Sequence, residues 1–142
     1  MDPAILGLIL DSSVLIEAER ARVHVADLLR HIARQAGEAE AALCSITVAE
    51  LAHGVHRADT DERHQARRRF LDDLKAALPV YPITAETGEL VGKLNASLSS
   101  KGIVVPFDDL LIGACALERG YAIATRNARH FGKIPGLPLI TV

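Results

Sequence analysis

The chain has 142 residues, of which 49% are hydrophobic and 24% are charged; this balance is typical of one folded domain and argues against a disordered or low-complexity segment. Its formal net charge of −2 and its aromatic content of 4%, with no Trp, argue against a general polyanion-binding surface and against nucleic-acid binding dominated by base stacking. Two cysteines are too few for a disulfide scaffold.

The start of the chain is not typical of a membrane anchor or an export signal. The apolar run at residues 4–10 ends at Asp11 and is far shorter than the roughly 20 residues of a membrane span. The Met1-Asp2 start lacks the basic residues of a secretory signal. Cys44 and Cys115 lie inside apolar runs, so we expect reduced core cysteines in a cytoplasmic protein with no membrane partner.

Short apolar segments alternate with longer segments of helical periodicity along the whole chain. Strands are predicted at residues 5–10, 41–44, 80–81, 121–124 and 137–142. Helices are predicted at residues 13–22, 23–36, 47–57, 61–77, 84–98 and 108–119, with Ser12 or Ser13 capping the first and Gly120 ending the last. The alternation predicts one domain over residues 1–142, a three-layer α/β/α sandwich with a central, mostly parallel sheet.

Acidic residues follow the predicted strands. Asp11 comes directly after the first strand, and Glu50 lies in the helix after the second. Asp108 and Asp109 open the helix before the fourth strand, which runs into residues 125–127. Because sites in open α/β sheets form at the carboxyl ends of the strands, we expect these side chains to share one edge of the sheet.

Carboxylates gathered in one crevice repel one another and raise one another's pKa values. A divalent cation removes that cost, and ligands that are all oxygen favour Mg²⁺ or Mn²⁺ over Zn²⁺. Such a centre activates water and neutralises charge on a phosphoryl group, so no serine or cysteine nucleophile is required.

Each acid also has a purely structural interpretation. Asp11 could simply end a strand and cap a helix, and Thr47 with Glu50 has the spacing of a capping box. Asp108 and Asp109 at a helix start complement the helix dipole. Their joint placement after strand ends is what favours the functional interpretation.

Four blocks of sequence resemble PIN-domain ribonucleases of the VapC toxin type. They are LILDSSVLI at residues 8–16, SITVAELAHGV at 45–55, residues 103–117 centred on PFDDLLIGA, and GYAIATRNARHF at 120–131. The blocks fall in the family's order and span nearly the whole chain. The resemblance implies a single PIN domain that acts as a metal-dependent endoribonuclease, usually the toxin of a toxin–antitoxin pair.

The resemblance also implies roles for individual residues. Asp11, Glu50 and Asp109 match the family's catalytic, metal-binding acids, and Mg²⁺ or Mn²⁺ is the implied cofactor. Asp109 is preferred to Asp108, a supporting candidate, because it directly precedes the Leu-Leu-Ile-Gly-Ala run. Ser12 retains a hydroxyl where many relatives have Thr.

The resemblance further implies an RNA substrate, either tRNA or rRNA, a VapB-type antitoxin that occludes the site, and a homodimer. The predicted helices at residues 23–36 and 61–77 could supply partner surfaces, although core packing explains their periodicity equally well.

The fourth block departs from the family pattern. Many relatives carry a fourth acid near the end of the fourth strand, whereas this chain has no Asp or Glu from Arg119 to Val142. Asn127 is the best substitute there, with Thr125 as a supporting candidate. Whether one ion or two act is therefore left open.

Cations near the predicted site could hold an anionic substrate. Arg126, Arg129 and Arg20 are candidates for RNA phosphate binding, although each could equally be a solvated surface residue. His130 could help to hold the substrate, but a plain surface histidine is the favoured interpretation. The basic run at residues 63–69 has acids at ion-pair spacing on both sides, which favours a self-paired helix face over a nucleic-acid patch.

Three other functions fit parts of the pattern. A catalytically weak or inactive PIN module that binds RNA or protein partners is the main alternative, because the fourth acid is missing. A DNA-cutting relative would share the same metal chemistry. A phosphorylated receiver-like domain requires an acidic pair after the first strand, where Asp11 stands alone.

Overall fold

The computed structural model describes residues 5–142, and the Met1-Asp2 start lies outside them. The strands of the described chain are β1 (Gly7–Leu10), β2 (Glu40–Cys44), β3 (Val80–Tyr81), β4 (Ala122–Thr125) and β5 (Leu139–Thr141). Its helices are α1 (Ser12–Arg20), α2 (Val25–Ala36), α3 (Ser45–His56), α4 (Asp61–Ala77), α5 (Ala85–Ser100), α6 (Phe107–Arg119) and α7 (Ala128–Phe131). Every predicted element is present.

The strands form one sheet in the order β3-β2-β1-β4-β5, and every neighbouring pair is parallel. In the sheet, β2 and β3 lie on one side of β1, whereas β4 and β5 lie on the other side. The order therefore reverses between β1 and β4, and a crevice opens outside their carboxyl ends. The predicted three-layer α/β/α architecture is confirmed.

The central strand β1 is buried on both faces, as the continuous apolar run predicted. Leu8 and Leu10 pack into the cluster that includes helices α1, α2 and α4. Ile9 points to the opposite face and joins the cluster built with α5 and α6. This alternation fixes the register of β1, and with it the position of the residue that follows the strand.

Two predicted helix starts are wrong. Asp11, and not a serine, is the N-cap of α1, and no side chain bonds the free amides there. Helix α3 begins at Ser45, so Thr47 lies inside the first turn and the predicted capping box with Glu50 is not formed. The physical reason is that β2 runs directly into α3 at Cys44, which moves the helix start ahead of the Thr47 hydroxyl.

The C-terminal part of the chain follows the prediction more closely. Helix α6 begins one residue earlier than expected, with Pro106 at its N-cap, and ends at Gly120 in the left-handed conformation with φ of 68°. The short helix α7 was not predicted, because its four residues are too few to show a period.

Surface and core features agree with the sequence in most respects. Cys44 and Cys115 are buried and free. In the basic run, Arg63 pairs with Asp59 and Arg68 with Asp72, which confirms a largely self-paired face. Arg69 and Asp73 have the same spacing along α4, but they are not among the ion pairs of the described residues. No helix within residues 5–142 is both long and apolar enough to span a membrane.

Candidate active site

Asp11 lies at the point where the strand order reverses. Its backbone amide donates to the Ala124 carbonyl at 2.9 Å and so continues the pairing of β1 with β4. The side chain is 6% exposed, and its Oδ2 accepts hydrogen bonds from Ser13 Oγ at 2.7 Å and Thr125 Oγ1 at 3.0 Å. The two hydroxyls hold the Asp11 carboxylate in a fixed orientation at the bottom of the crevice.

Glu50 reaches the same crevice from α3. Its Oε2 accepts a hydrogen bond from Ser12 Oγ at 3.2 Å, whereas its Oε1 is buried and has no partner within the described chain. Burial, followed by the negative charges of Asp108, Asp11 and Asp109, raises the pKa of Glu50 to about 7. The carboxylates therefore lie close enough to one another to interact, as the sequence predicted.

Asp108 and Asp109 occupy the first turn of α6. The Asp109 side chain is 17% exposed, and its Oδ2 accepts a hydrogen bond from His130 Nδ1 at 2.9 Å. Burial and the charge of Asp108 raise the pKa of Asp109, and the His130 hydrogen bond opposes that rise. Asp108 is exposed, and its Oδ1 accepts from the Asp109 backbone amide. Of the two acids, Asp109 is therefore the one set into the crevice.

His130 is not the plain surface histidine that the sequence suggested. It lies on α7, its side chain is 37% exposed, and it contacts Asp109 across the gap between α6 and α7. This partner could not be read from the sequence, because 21 residues separate the two.

The end of β4 supplies neutral groups to the crevice. Thr125 is fully buried, and its hydroxyl donates the hydrogen bond to Asp11 described above. Asn127 is the N-cap of α7, where its Oδ1 accepts a hydrogen bond from the Arg129 amide at 3.2 Å. The Asn127 side chain therefore caps the N-terminus of α7.

The three candidate arginines differ in position. Arg126 follows β4, and its guanidinium pairs with Glu17 on α1 at 3.0 Å. Arg129 lies exposed on α7, beside His130. Arg20 is in the last turn of α1, about 12 Å along the helix from Ser12, and lines a separate cleft with α4. The structure therefore brings Arg126 and Arg129 to the site edge but not Arg20.

Ser13 is a residue of the site that the sequence analysis placed only as a helix cap. Its Oγ donates to Asp11 and accepts from the Arg126 amide at 3.2 Å. The signal was its position two residues after a site acid, which is also the pattern of a local turn. Sequence alone does not distinguish a serine that orients a site acid from a serine that stabilises a local turn.

The donor set of the crevice suits a hard divalent cation. Its charged candidate ligands, Asp11, Glu50 and Asp109, are all carboxylates, and the buried Glu50 Oε1 has no hydrogen-bond donor within the described chain. As placed, no three acidic, histidine or cysteine side chains of residues 5–142 form a ready-made metal cage. Carboxylates that share a crevice repel one another, and a cation between them would remove that repulsion. The chemistry of the residues fits Mg²⁺ or Mn²⁺.

The raised pKa of Glu50 predicts a pH dependence of folding without metal. Because the folded chain holds this proton more tightly than the unfolded chain, the resulting stability is present below pH 4.5 and is lost as the pH rises to about 7 and beyond. Glu50→Gln is therefore expected to raise the Tm in chelator by a few degrees at pH 8 and to leave it nearly unchanged at pH 4.5.

Thermal unfolding at the two pH values measures this effect. Glu89→Gln, which removes one carboxylate from an exposed position on α5, is the matched control. An equal Tm change in both variants at both pH values would contradict the prediction.

The fold and the site together define an α/β protein with an acidic crevice at the switch point of a parallel sheet. The profile of the PIN domain family matches residues 8–137. The chain therefore belongs to the PIN domain family, as its sequence blocks indicated.

Individual relatives are similar along most of the chain. Ribonuclease VapC1 of Rickettsia felis is 27% identical over 137 residues, which cover 96% of this chain and 97% of the relative. The tRNA(fMet)-specific endonuclease VapC of Salmonella typhimurium is 30% identical over 96 residues, covering 67% and 70%. Among solved structures, VapBC-5 of Mycobacterium tuberculosis, a member of the VapBC family of toxin–antitoxin systems, is 26% identical with a TM-score of 0.74, covering 99% and 100%.

Proposed function

We propose that this protein is a divalent-metal-dependent endoribonuclease and the toxin of a toxin–antitoxin pair. The observation that carries the proposal is the gathering of Asp11, Glu50 and Asp109 at the switch point of the sheet, with one Glu50 oxygen buried and without a donor. The similarity to ribonuclease VapC relatives over nearly the full chain supports the choice of RNA over other phosphodiesters.

In this proposal the three acids hold Mg²⁺ or Mn²⁺, with Asp108 beside them. When bound, the ion would supply positive charge to the scissile phosphate and lower the pKa of a nearby water. Ser13 and Thr125 orient the Asp11 carboxylate through their hydroxyls.

Two further side chains orient the other acids. Ser12 fixes one oxygen of Glu50. His130 positions Asp109 through the hydrogen bond between its Nδ1 and the Asp109 Oδ2.

Binding of the substrate is assigned to the basic edge of the site. Arg129 is exposed and contacts the RNA backbone, and Arg126 exchanges its ion pair with Glu17 for a phosphate. An exposed ion pair is weak, so the exchange has a small cost. Affinity for RNA should therefore fall as salt concentration rises.

The partners follow from the same relatives. The solved VapBC-5 structure belongs to a toxin–antitoxin family, which supports a VapB-type antitoxin as the partner of this chain. A homodimer acting in the cytoplasm is proposed with it. A structured RNA is the proposed substrate, and the Salmonella typhimurium relative, named for tRNA(fMet), makes tRNA the first class to test.

The test is incubation of the purified, antitoxin-free protein with a total RNA pool that includes tRNA and rRNA. Mg²⁺, Mn²⁺ or a chelator is added, and the new 5′ ends are mapped by sequencing. Cuts at discrete positions that need the metal are the expected result. Cuts that persist in chelator would contradict the metal dependence. Binding of RNA without any cleavage would favour the inactive PIN module.

A further inference from the structure

One aromatic ring in this protein has a free face. Within residues 5–142, which contain all three Phe and both Tyr of the chain, Phe70 and Phe131 are buried in the core, whereas Phe107 is 63% exposed. The two tyrosines are engaged with each other: their rings meet edge to face, and both hydroxyls donate to Glu40.

Phe107 is exposed beside the candidate active site. It is the first residue of α6 and directly precedes Asp108 and Asp109. Side chains of a helix tilt toward its N-terminus, so the Phe107 ring overhangs the helix end that supplies these acids. The helix rises only about 3 Å between Phe107 and Asp109. Side chains two positions apart leave a helix on different sides, so the ring is placed for a base that flanks a phosphate at Asp109 and does not face that phosphate itself.

The fold gains little burial free energy from the Phe107 ring, because most of the ring is exposed. Burial of a Phe side chain stabilises a fold, and a polar residue would begin α6 equally well. Pro106, the N-cap, already ends the preceding loop in an extended conformation. The aromatic character of Phe107 is therefore not explained by the fold.

A base explains the exposed ring better than a protein surface does. A stable protein interface buries about 800 Å² on each partner, whereas Val104 is the one other exposed large apolar residue of the described chain that lies near Phe107 in sequence. The neighbours of Phe107 are the acids of α6, with the cation Arg129 on the adjacent α7. A lone aromatic among phosphate-handling groups is typical of a stacking contact with nucleic acid.

On the basis of the proposed function, we propose that Phe107 stacks on an unpaired base that flanks the scissile phosphate. Stacking on a protein ring requires the base to be splayed out of a helix. The substrate class is therefore RNA that is single-stranded at the cut, such as a loop, and not the interior of a duplex. Phe107 acts as a positioning residue, because the ring contacts the substrate without taking part in the chemistry.

The test uses single-stranded RNA 12-mers that span the sites cut in the total RNA pool. Each 12-mer carries one 2-aminopurine, a fluorescent base that is quenched when it stacks. Binding is measured in chelator, and cleavage is measured with Mn²⁺. The variants are Phe107→Ala, Phe107→Trp and, as the matched control, Val104→Ala, which trims an apolar side chain that is 79% exposed and has no ring.

The expected result is quenching at one position next to the cut, lost in Phe107→Ala and kept in Phe107→Trp and Val104→Ala. The KM of Phe107→Ala should rise about tenfold with little change in kcat, since the variant loses one base stack but keeps the groups that carry out the chemistry. A duplex made with the complementary strand should be cut far more slowly.

Three results would overturn the assignment of Phe107. Normal cleavage with unchanged KM and quenching in Phe107→Ala would remove the stacking role and leave the proposed ribonuclease intact. The same result combined with the loss of a copurifying antitoxin would assign the ring to a protein partner. If the wild type neither binds nor cuts any 12-mer or the RNA pool, the proposed function itself fails, and the stacking role fails with it.

Discussion

Asp11→Asn is expected to lower the rate of RNA cleavage at least about 1,000-fold while the protein remains folded. A metal centre contributes several kcal/mol to stabilising a phosphoryl transition state, and each 1.36 kcal/mol changes the rate tenfold. Asp11 is the most buried of the acids, and two hydroxyls hold its carboxylate in place. The amide of Asn keeps the shape and one acceptor oxygen but loses the charge that a cation requires.

The control for this experiment is Asp72→Asn. Asp72 is an exposed acid that pairs with Arg68 on the outer face of α4, so its replacement removes the same charge far from the crevice. Cleavage rates and Tm values of both variants are measured beside the wild type. A full cleavage rate in Asp11→Asn, or an equal loss in Asp72→Asn, would remove Asp11 from the active site.

Ile9→Ala is expected to destabilise the fold by about 2–5 kcal/mol, through lost burial and the cavity left behind. Ile9 is 0% exposed on the central strand and packs against the layer that contains α5 and α6. For a chain of this size the expected fall in Tm is roughly 6–15 °C. Because Asp11 follows this strand, loss of the strand would also disperse the candidate site.

Leu6→Ala is the matched control for the core substitution. Leu6 lies one residue before β1 and is 66% exposed, so its truncation should change the stability by less than about 0.5 kcal/mol. Thermal and urea unfolding measure both variants. Similar Tm values for Ile9→Ala and Leu6→Ala would contradict the packing of β1 at the centre of the sheet.

The helices and strands of this fold can be predicted from local sequence, whereas the order of the strands in the sheet cannot. A continuous apolar run marked β1, and periodicity with a terminal Gly120 marked α6, so both boundaries fell within two residues of the structure. The position of β1 between β2 and β4 depends on contacts between distant segments. The connection from α6 to β4 places Asp109 near Asp11. No local sequence pattern specifies this contact between distant parts of the chain.

In the candidate site, too, local sequence predicts some features and contacts between distant segments determine the others. The placement of Asp11, Glu50 and Asp109 at one edge of the sheet could be predicted, because each has a fixed place relative to a strand end; their role in catalysis stays a prediction. The partner of Asp109, His130, could not be predicted, because only the packing of α7 on α6 brings them together. The proposed capping role of Thr47 was wrong for a related reason: the junction of β2 and α3 is set by the sheet and not by the nearest capping side chain.

Titration calorimetry with Mn²⁺ at pH 8, where the Glu50 carboxyl is ionised in the folded chain, tests the central claim most directly. The claim is that the acids at the switch point hold a divalent ion. Saturable binding to the wild type and to Asp72→Asn, weakened at least tenfold in Asp11→Asn and in Asp109→Asn, is the predicted result. An absence of saturable binding to the wild type, or equal binding by all four proteins, would contradict the claim.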